Sequence, residues 1–119
     1  MGTFPRRFLQ RASGSASTGE RFDALKIQLV WNKARYAAGC DPNVRRLDAC
    51  GAYIDRNMYG DSTSDTNTGW EIDHVIPVAR GGTDDLANLQ PLQWKNNRSK
   101  GDSFPSSPLA YSAVVASRN

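Results

Sequence analysis

The sequence predicts a small α+β domain, and three patterns support that prediction. Apolar residues at spacings of three and four over residues 22–38 are typical of an amphipathic helix. Residues 70–78 alternate in polarity and contain several β-branched side chains, which indicates a strand. A short extended segment over residues 89–92 precedes a short helix over residues 93–100, which Gly101 is expected to end. The predicted order is therefore a long helix followed by strand, loop, strand and helix.

The long first helix is expected to bury one apolar stripe against the rest of the domain. Downstream of it, residues 52–55 are predicted to form a short strand. Residues 61–69 are predicted to form a polar loop without core residues. The stripe that is predicted to lie in the core consists of Phe22, Leu25, Leu29 and Tyr36, and it is broadened by Ile27, Val30 and Trp31.

A single domain is expected, because 119 residues leave little room for a second core. Residues 1–20 are rich in Arg and Ser and nearly free of acids, so they are expected to form a disordered basic arm. Residues 21–102 are the predicted folded domain, with the strand, loop, strand and helix block at residues 70–102. Residues 103–119 are rich in Ser and Pro and are expected to form a flexible tail.

The net charge of +3 is ordinary for a small protein and does not by itself indicate a partner. No apolar segment is long enough to cross a bilayer, so no membrane partner is predicted. An intracellular, cytoplasmic location is favoured because the N-terminus lacks the continuous apolar core of a secretory signal. Secretion and organelle import both stay open, the latter because the Arg-rich and Ser-rich start of the chain resembles a transit peptide.

The two cysteines, Cys40 and Cys50, are too few for a zinc site with four thiolates. Free thiols are favoured, because small secreted scaffolds usually contain more cysteine. A single disulfide between them stays open.

The residues best suited to catalysis are grouped around the only histidine of the chain, His74, which directly follows Asp73. Phosphodiester hydrolysis requires a group that takes a proton from water, while negative charge grows on the phosphoryl and leaving oxygens. Imidazole titrates near neutral pH in its unperturbed state, and a divalent cation can stabilise the growing charge. Neighbours on a strand point to opposite faces. The two side chains can therefore serve one site only where the strand ends or bends, or where metal and water flank the phosphate.

Residues 70–102 contain Asp-His at positions 73–74, Gly-Gly at 81–82, Asn-Leu at 88–89 and Asn-x-x-Lys-Gly at 97–101. This combination resembles the motif of HNH endonucleases, which have the ββα-metal fold. Asn88 follows His74 by fourteen residues, and Asn97 follows Asn88 by nine, as the family pattern requires. Asn97 stands where the family's name implies His, so the chain resembles the HNN variant.

The resemblance implies a role for each matching residue. His74 is the implied general base, and Asn88 is the implied residue that holds the histidine segment in place. Asp73 and Asn97 are the implied metal ligands. Because both offer oxygen, Mg²⁺ or Mn²⁺ is predicted, and Zn²⁺ or Ni²⁺ is less favoured.

Basic residues within or beside the motif are candidate nucleic-acid contacts, namely Arg80, Arg98 and Lys100. Arg98 and Lys100 could equally be solvated charges of the last helix. Asn96 neighbours the implied metal ligand, but Asn97 is preferred because it stands three residues before Lys100.

Three further acids near the motif have open roles. Asp84 and Asp85 could bind metal, although an acidic loop tip is the favoured interpretation. Glu71 shares a strand face with Asp73 and could support the metal site, or it could be a surface carboxylate.

These observations predict a metal-dependent endonuclease that acts on double-stranded or nicked DNA, with a monomer favoured. A module of the same fold that binds nucleic acid without cleaving it is the main alternative. An RNA-directed nuclease also stays open, because the base and the metal do not distinguish the two sugars. A toxin-like nuclease is disfavoured because the sequence shows no delivery domain.

Overall fold

The computed structural model describes residues 13–63, 65 and 67–103. The described chain forms a mixed α+β structure with two antiparallel sheets. One sheet has the order β1-β2-β3, and the other is the hairpin β4-β5. The elements in chain order are α1 (Ala24–Trp31), β1 (Arg35–Tyr36), β2 (Arg45–Leu47), β3 (Tyr53–Asp55), β4 (Trp70–His74), β5 (Leu89–Gln93) and α2 (Trp94–Lys100).

The hairpin β4-β5 followed directly by α2 matches the predicted order of strand, loop, strand and helix. Its register runs from the Trp70–Gln93 pair at one end to the His74–Leu89 pair at the other. The predicted strand over residues 70–78 is too long, because pairing ends at His74. Beyond it, the Val75 amide donates to the Asn88 backbone carbonyl at 2.8 Å, and the chain turns away from the sheet.

The predicted long helix over residues 22–38 is wrong in its length. Helix α1 begins after Asp23, whose carboxylate accepts the Lys26 amide at 2.8 Å, and it ends at Trp31. The chain then reverses, so that residues 35–36 pair with β2 instead of continuing the helix. Pairing with a strand that is adjacent only in the folded structure has overridden the local helical pattern.

The predicted apolar stripe is only partly buried. Phe22 is buried, but Leu25 is 68% exposed, Leu29 is 36% exposed and Tyr36 is 70% exposed. Val30 and Trp31, which broaden the predicted stripe, are both fully buried at the end of α1, so this part of the prediction is confirmed. They join a core cluster that includes Ile54, Trp70, Ile72 and Leu89.

The core is centred on two tryptophans from distant parts of the chain. The rings of Trp31 and Trp70 are 5.3 Å apart between centroids and inclined at 46°. Tyr59 packs edge-on against Trp70, with 4.9 Å between the ring centroids. Both tryptophan side chains are fully buried, so α1 is held directly on the hairpin that carries the sequence motif.

Residues 13–20 contact the folded domain. Ser15 is buried, and Gly14 approaches Glu71 so closely that an added Cβ would lie 3.1 Å from the Glu71 Cβ. The expected basic arm over residues 1–20 therefore includes a segment that packs on the hairpin. Residues 1–12 and the expected tail beyond residue 103 lie outside the described residues.

Cys40 and Cys50 are both free thiols, as the sequence favoured. Cys50 is buried and Cys40 is partly exposed. The alternative of a disulfide between them does not fit the structure.

A buried carboxylate joins the three-stranded sheet to the hairpin. Asp48 is 1% exposed, and its Oδ1 accepts the backbone amides of Cys50 and Ala52 at 2.8 and 2.9 Å. Its Oδ2 accepts the Gln93 amide at 2.8 Å and the Asn96 side-chain amide at 3.0 Å. A buried charge is tolerated when it is fully hydrogen-bonded, and here four donors satisfy it.

Replacement of this carboxylate is expected to destabilise the whole domain. Asp48→Ala leaves buried donors without a partner, and each such donor costs about 1–3 kcal/mol. The free energy of unfolding, measured by urea denaturation, should fall by roughly 3 kcal/mol. The matched control is Asp41→Ala, which removes one exposed hydrogen bond to the Asn43 amide and should cost much less. Equal losses in the two variants would contradict this account.

Candidate active site

A cavity of about 210 Å³ lies where β4 ends and α2 passes over it. The strand contributes both Asp73 and His74 to this cavity, although neighbours on a strand point to opposite faces. The end of the strand therefore lets both side chains meet one space. The lining residues of the cavity are Ser13, Gly14, Ile72, Asp73, His74, Pro77, Asn97, Arg98, Gly101 and Asp102.

His74 is the last residue of β4 and is 3% exposed. Its ring packs against Phe22, with 6.1 Å between ring centroids. Its Nε2 lies 2.7 Å from the Oδ1 of Asp84, which belongs to the loop between the two hairpin strands. The imidazole thus contacts both an aromatic ring and a carboxylate.

Asn88 closes the loop that follows His74. Its Oδ1 accepts the Ile76 amide at 2.8 Å, and its Nδ2 donates to the carbonyls of Ile76 and Thr83 at 3.1 and 2.9 Å. These bonds connect the segment just after His74 to the start of β5. The arrangement has the geometry of a clamp on the histidine segment.

The Gly-Gly pair of the motif makes this clamp sterically feasible. Gly81 has φ of 92°, a left-handed conformation that glycine adopts without strain. A Cβ at Gly82 would lie 1.7 Å from the Ile76 carbonyl oxygen and 2.9 Å from the Asn88 Nδ2. Only glycine at position 82 leaves room for the Asn88 side chain to reach Ile76.

Asp73 lies on the face of β4 that α2 covers. Its Oδ2 accepts the side-chain amide of Gln90 at 2.9 Å, and its Oδ1 lies 3.2 Å from the Nζ of Lys100. Burial raises the pKa of the Asp73 carboxyl, and this effect exceeds the opposing influence of Lys100 and Gln90. A further positive charge in the cavity would favour the ionised form of Asp73.

Glu71 shares this face and is buried, so the alternative of a surface carboxylate is wrong. Its Oε1 accepts the Nδ2 of Asn97 at 2.8 Å, and its Oε2 pairs with Arg98 at 2.8 Å. The hydrogen bond that Arg98 donates to Glu71 raises the pKa of the Arg98 guanidinium. Ser13 joins the group, because its Oγ donates to Glu71 at 3.2 Å.

The two neighbouring asparagines of α2 point to different partners. Asn97 is buried, lines the cavity and bonds Glu71. Asn96 bonds Asp48, which lies in the region that joins the two sheets. Of the two, Asn97 is therefore the one placed at the cavity.

A comparison with protein families identifies this part of the chain. Residues 56–103 match the family model described as HNH endonuclease. This segment is thus similar to HNH endonucleases. The resemblance drawn from the motif is thereby confirmed for this segment. No curated protein and no solved structure gave a significant match to the chain.

The HNH match covers the hairpin, the clamp and α2, and it begins after the first sheet. One part of the site lies outside it, namely the segment that contains Ser13, which lines the cavity and bonds Glu71. The domain that forms the cavity is therefore larger than the matched segment.

The donor atoms at the cavity fit a hard divalent cation. Asp73 offers a carboxylate, and Asn97 offers its Oδ1, because the described bonds of Asn97 use only its Nδ2. Each Asp73 oxygen has more than one lone pair, so the bonds to Gln90 and Lys100 leave acceptor capacity. Among the described residues no group of three His, Cys, Asp or Glu side chains could hold a metal. Two oxygen donors from the protein would suit an ion such as Mg²⁺, which usually keeps several of its water ligands.

The three predicted phosphate contacts have different positions. Arg98 is about half exposed and lines the cavity, where it pairs with Glu71. Arg80 is exposed on the turn Val78–Arg80 and is not among the lining residues of the cavity. Lys100 does not fit the prediction, because it is 3% exposed and its Nζ bonds the His74 carbonyl at 2.9 Å. Its position suits a structural role between α2 and the end of β4.

Sequence reasoning missed two residues of the site. Asp84 was expected at an acidic loop tip, but it contacts His74. Gln90 was not singled out, although it stands opposite Asp73 in the hairpin register. A signal for Gln90 was present, since the cross-strand partner of a buried carboxylate often satisfies it. The spacing of Asp84 from His74 offered no such signal.

Over the described residues, none of the helices has the length and apolar character needed to cross a bilayer.

The clamp can be tested one amide at a time. In Asn88→Ala the Ile76 amide loses its side-chain acceptor, so its hydrogen exchange should accelerate by about tenfold or more. The Val75 amide bonds the backbone carbonyl of Asn88 and should keep most of its protection, which provides an internal control. Equal acceleration at both amides would show general loosening of the hairpin and would contradict a clamp at Ile76.

Proposed function

We propose that this protein is a metal-dependent endonuclease that hydrolyses DNA phosphodiester bonds. The observation that carries the proposal is that one cavity is lined by an imidazole, a carboxylate and an amide, namely His74, Asp73 and Asn97. The HNH match supports a nuclease and implies a nucleic-acid substrate. The proposal assigns roles to the individual residues of that cavity.

In the proposed reaction, His74 receives the proton of the attacking water. The neutral imidazole accepts a proton from a water molecule while the water oxygen forms a bond to phosphorus. The bond from phosphorus to the leaving oxygen then breaks, and the leaving oxygen takes a proton from solvent. Asn88 holds the segment after His74 in place through its bonds to Ile76, so its role is one of orientation.

The proposed metal ligands are Asp73 and Asn97. A bound Mg²⁺ or Mn²⁺ would stabilise the negative charge that grows on the phosphoryl and leaving oxygens. Oxygen-only ligation favours these ions over Zn²⁺ or Ni²⁺. Lys100 of α2 and Gln90 of β5 hold the Asp73 carboxylate in position.

DNA is the proposed substrate, and Arg98 is the cation best placed to contact its backbone. Arg98 lines the cavity and remains about half exposed while it pairs with Glu71. Arg80 is exposed and can contribute at the rim. A strong preference for RNA over DNA of matched sequence in cleavage assays would overturn the choice of substrate.

A non-catalytic module that binds nucleic acid is the second candidate function. The burial of His74 favours it, because a general base must reach an attacking water, and this ring is 3% exposed. The endonuclease should cleave DNA, whereas the binding module should bind DNA without cleaving it.

Substitution of the proposed base separates these functions. His74→Ala should lower the rate of plasmid nicking by at least about 10²-fold, because general-base catalysis contributes 10²–10⁴-fold. Affinity for DNA should stay within a few-fold of the wild type, and thermal denaturation should show that the variant is folded. Nicking by His74→Ala at the wild-type rate would contradict the assignment of the base. A wild-type protein that binds DNA without nicking it, in any divalent metal, would favour the non-catalytic module.

Removal of metal tests the proposed ligands. Nicking should be almost completely lost in EDTA and should return with Mg²⁺ or Mn²⁺. Asn97→Ala should require a higher metal concentration for half-maximal nicking, by about 10-fold or more, because it removes one of two protein ligands. The neighbouring Asn96→Ala loses a bond to Asp48 and should lower stability without changing this metal requirement. Full activity in EDTA, or equal metal shifts in the two variants, would contradict the assignment.

A further inference from the structure

The loop between the hairpin strands brings a carboxylate to the imidazole. The Asp84 Oδ1 and the His74 Nε2 are 2.7 Å apart, a distance typical of a strong, charge-assisted hydrogen bond. The imidazole is buried, whereas the Asp84 side chain is 31% exposed. The buried ring of His74 is therefore contacted by a carboxylate, that of Asp84, which is partly exposed on the loop.

Residues from the N-terminal segment hold the same carboxylate from its other side. The Ser17 amide donates to both Asp84 oxygens, at 2.9 and 3.2 Å, and the Ser17 Oγ donates to Oδ2 at 2.7 Å. Lys26 of α1 fixes the backbone at the same residue, because its Nζ donates to the Asp84 carbonyl at 2.9 Å. An acidic loop tip that merely faced solvent would not require these contacts.

The charge state of Asp84 follows from the same contacts. Burial by itself raises the pKa of this carboxyl, but the hydrogen bonds from His74 and Ser17 outweigh it, so the net pKa is lowered. Asp84 is therefore ionised at neutral pH. An ionised carboxylate only accepts hydrogen bonds, so the bond to His74 requires a hydrogen on Nε2. In the neutral ring that leaves Nδ1 as the unprotonated nitrogen.

We infer that Asp84 is a positioning residue for His74, which fixes the ring with its hydrogen on Nε2 and leaves Nδ1 to take the proton of the attacking water. This inference rests on the proposed nuclease function for the proton transfer, whereas the position of the hydrogen can be measured without any reaction. Asp84 acts through His74 and does not touch the substrate.

The inference extends the functional domain beyond the HNH match. The match begins at residue 56, whereas Ser17 and Lys26, which hold Asp84, precede it. The position of the His74 ring thus depends on a contact between Ser17 and Asp84, which lie 67 residues apart in the sequence. Ser17→Ala removes one of the three hydrogen bonds that Ser17 donates to the Asp84 carboxylate. It should therefore lower kcat less than removal of the carboxylate itself.

Cleavage kinetics provide the first test. Asp84→Asn should lower kcat by at least about 10-fold, since removal of the partner that orients a metal-ligating histidine costs about 10- to 100-fold and the partner of a catalytic base can matter more. KM should stay within about threefold, because the substrate contacts remain. Asp84→Glu retains a carboxylate and should recover part of kcat. The matched control is Asp85→Asn, since Asp85 is the exposed neighbour whose side chain does not cap the following turn.

Nuclear magnetic resonance provides the second test, and the chain is suited to it because it contains one histidine. In ¹⁵N-labelled protein without a tag, at mildly alkaline pH, the ring of the wild type should show its hydrogen on Nε2. Asp84→Asn should shift the ring towards a mixture of the two neutral tautomers, whereas Asp85→Asn should not.

The results that would overturn the inference are distinct from those that would overturn the nuclease. A hydrogen on Nδ1 in the wild type, or an unchanged kcat in Asp84→Asn, would refute Asp84 as the positioning residue while nicking by the wild type stands. An Nε2 hydrogen in a wild-type protein that never nicks would refute the nuclease, and with it the catalytic purpose of the contact.

Discussion

The pairing of β4 with β5 is the constraint on which the rest of the structure depends. Its register places Asp73 opposite Gln90 and His74 opposite Leu89, and it ends at that second pair. Because side chains alternate along a strand, a shift of one residue would exchange the faces of Asp73 and His74. Asn88 then fixes the chain just beyond the pairing through Ile76. The cavity at the end of the hairpin exists because the sheet stops there.

Buried charge is concentrated on the face of the hairpin that α2 covers. Glu71, Asp73 and Lys100 are all 5% exposed or less, and each has a charged or amide partner close by. Such groups are costly to bury, and they stabilise a fold only when their geometry is well satisfied. A purely structural interface could have used apolar side chains, and the proposed substrate and metal would account for the charges beside the cavity.

The motif segment was predictable because its constraints are local in sequence. A two-residue glycine turn, an asparagine clamp and a short helix ended by Gly101 each depend on residues that lie close together in the chain. The first helix was predicted too long for the opposite reason. Arg35 and Tyr36 pair with β2, a strand that the sequence pattern did not indicate, and such pairing depends on contacts that local periodicity does not encode.

The sequence by itself determined the order of strand, loop, strand and helix and the resemblance of one segment to HNH endonucleases, and it predicted Asn97 rather than Asn96 as a metal ligand. Only the tertiary structure decided that Lys100 is buried against Asp73, that Glu71 is internal and that Asp84 reaches His74. The physical reason is that a motif records which residues recur at fixed spacing. Burial and hydrogen-bond partners depend instead on segments such as the one around Ser17, which meet the motif only after the chain has folded.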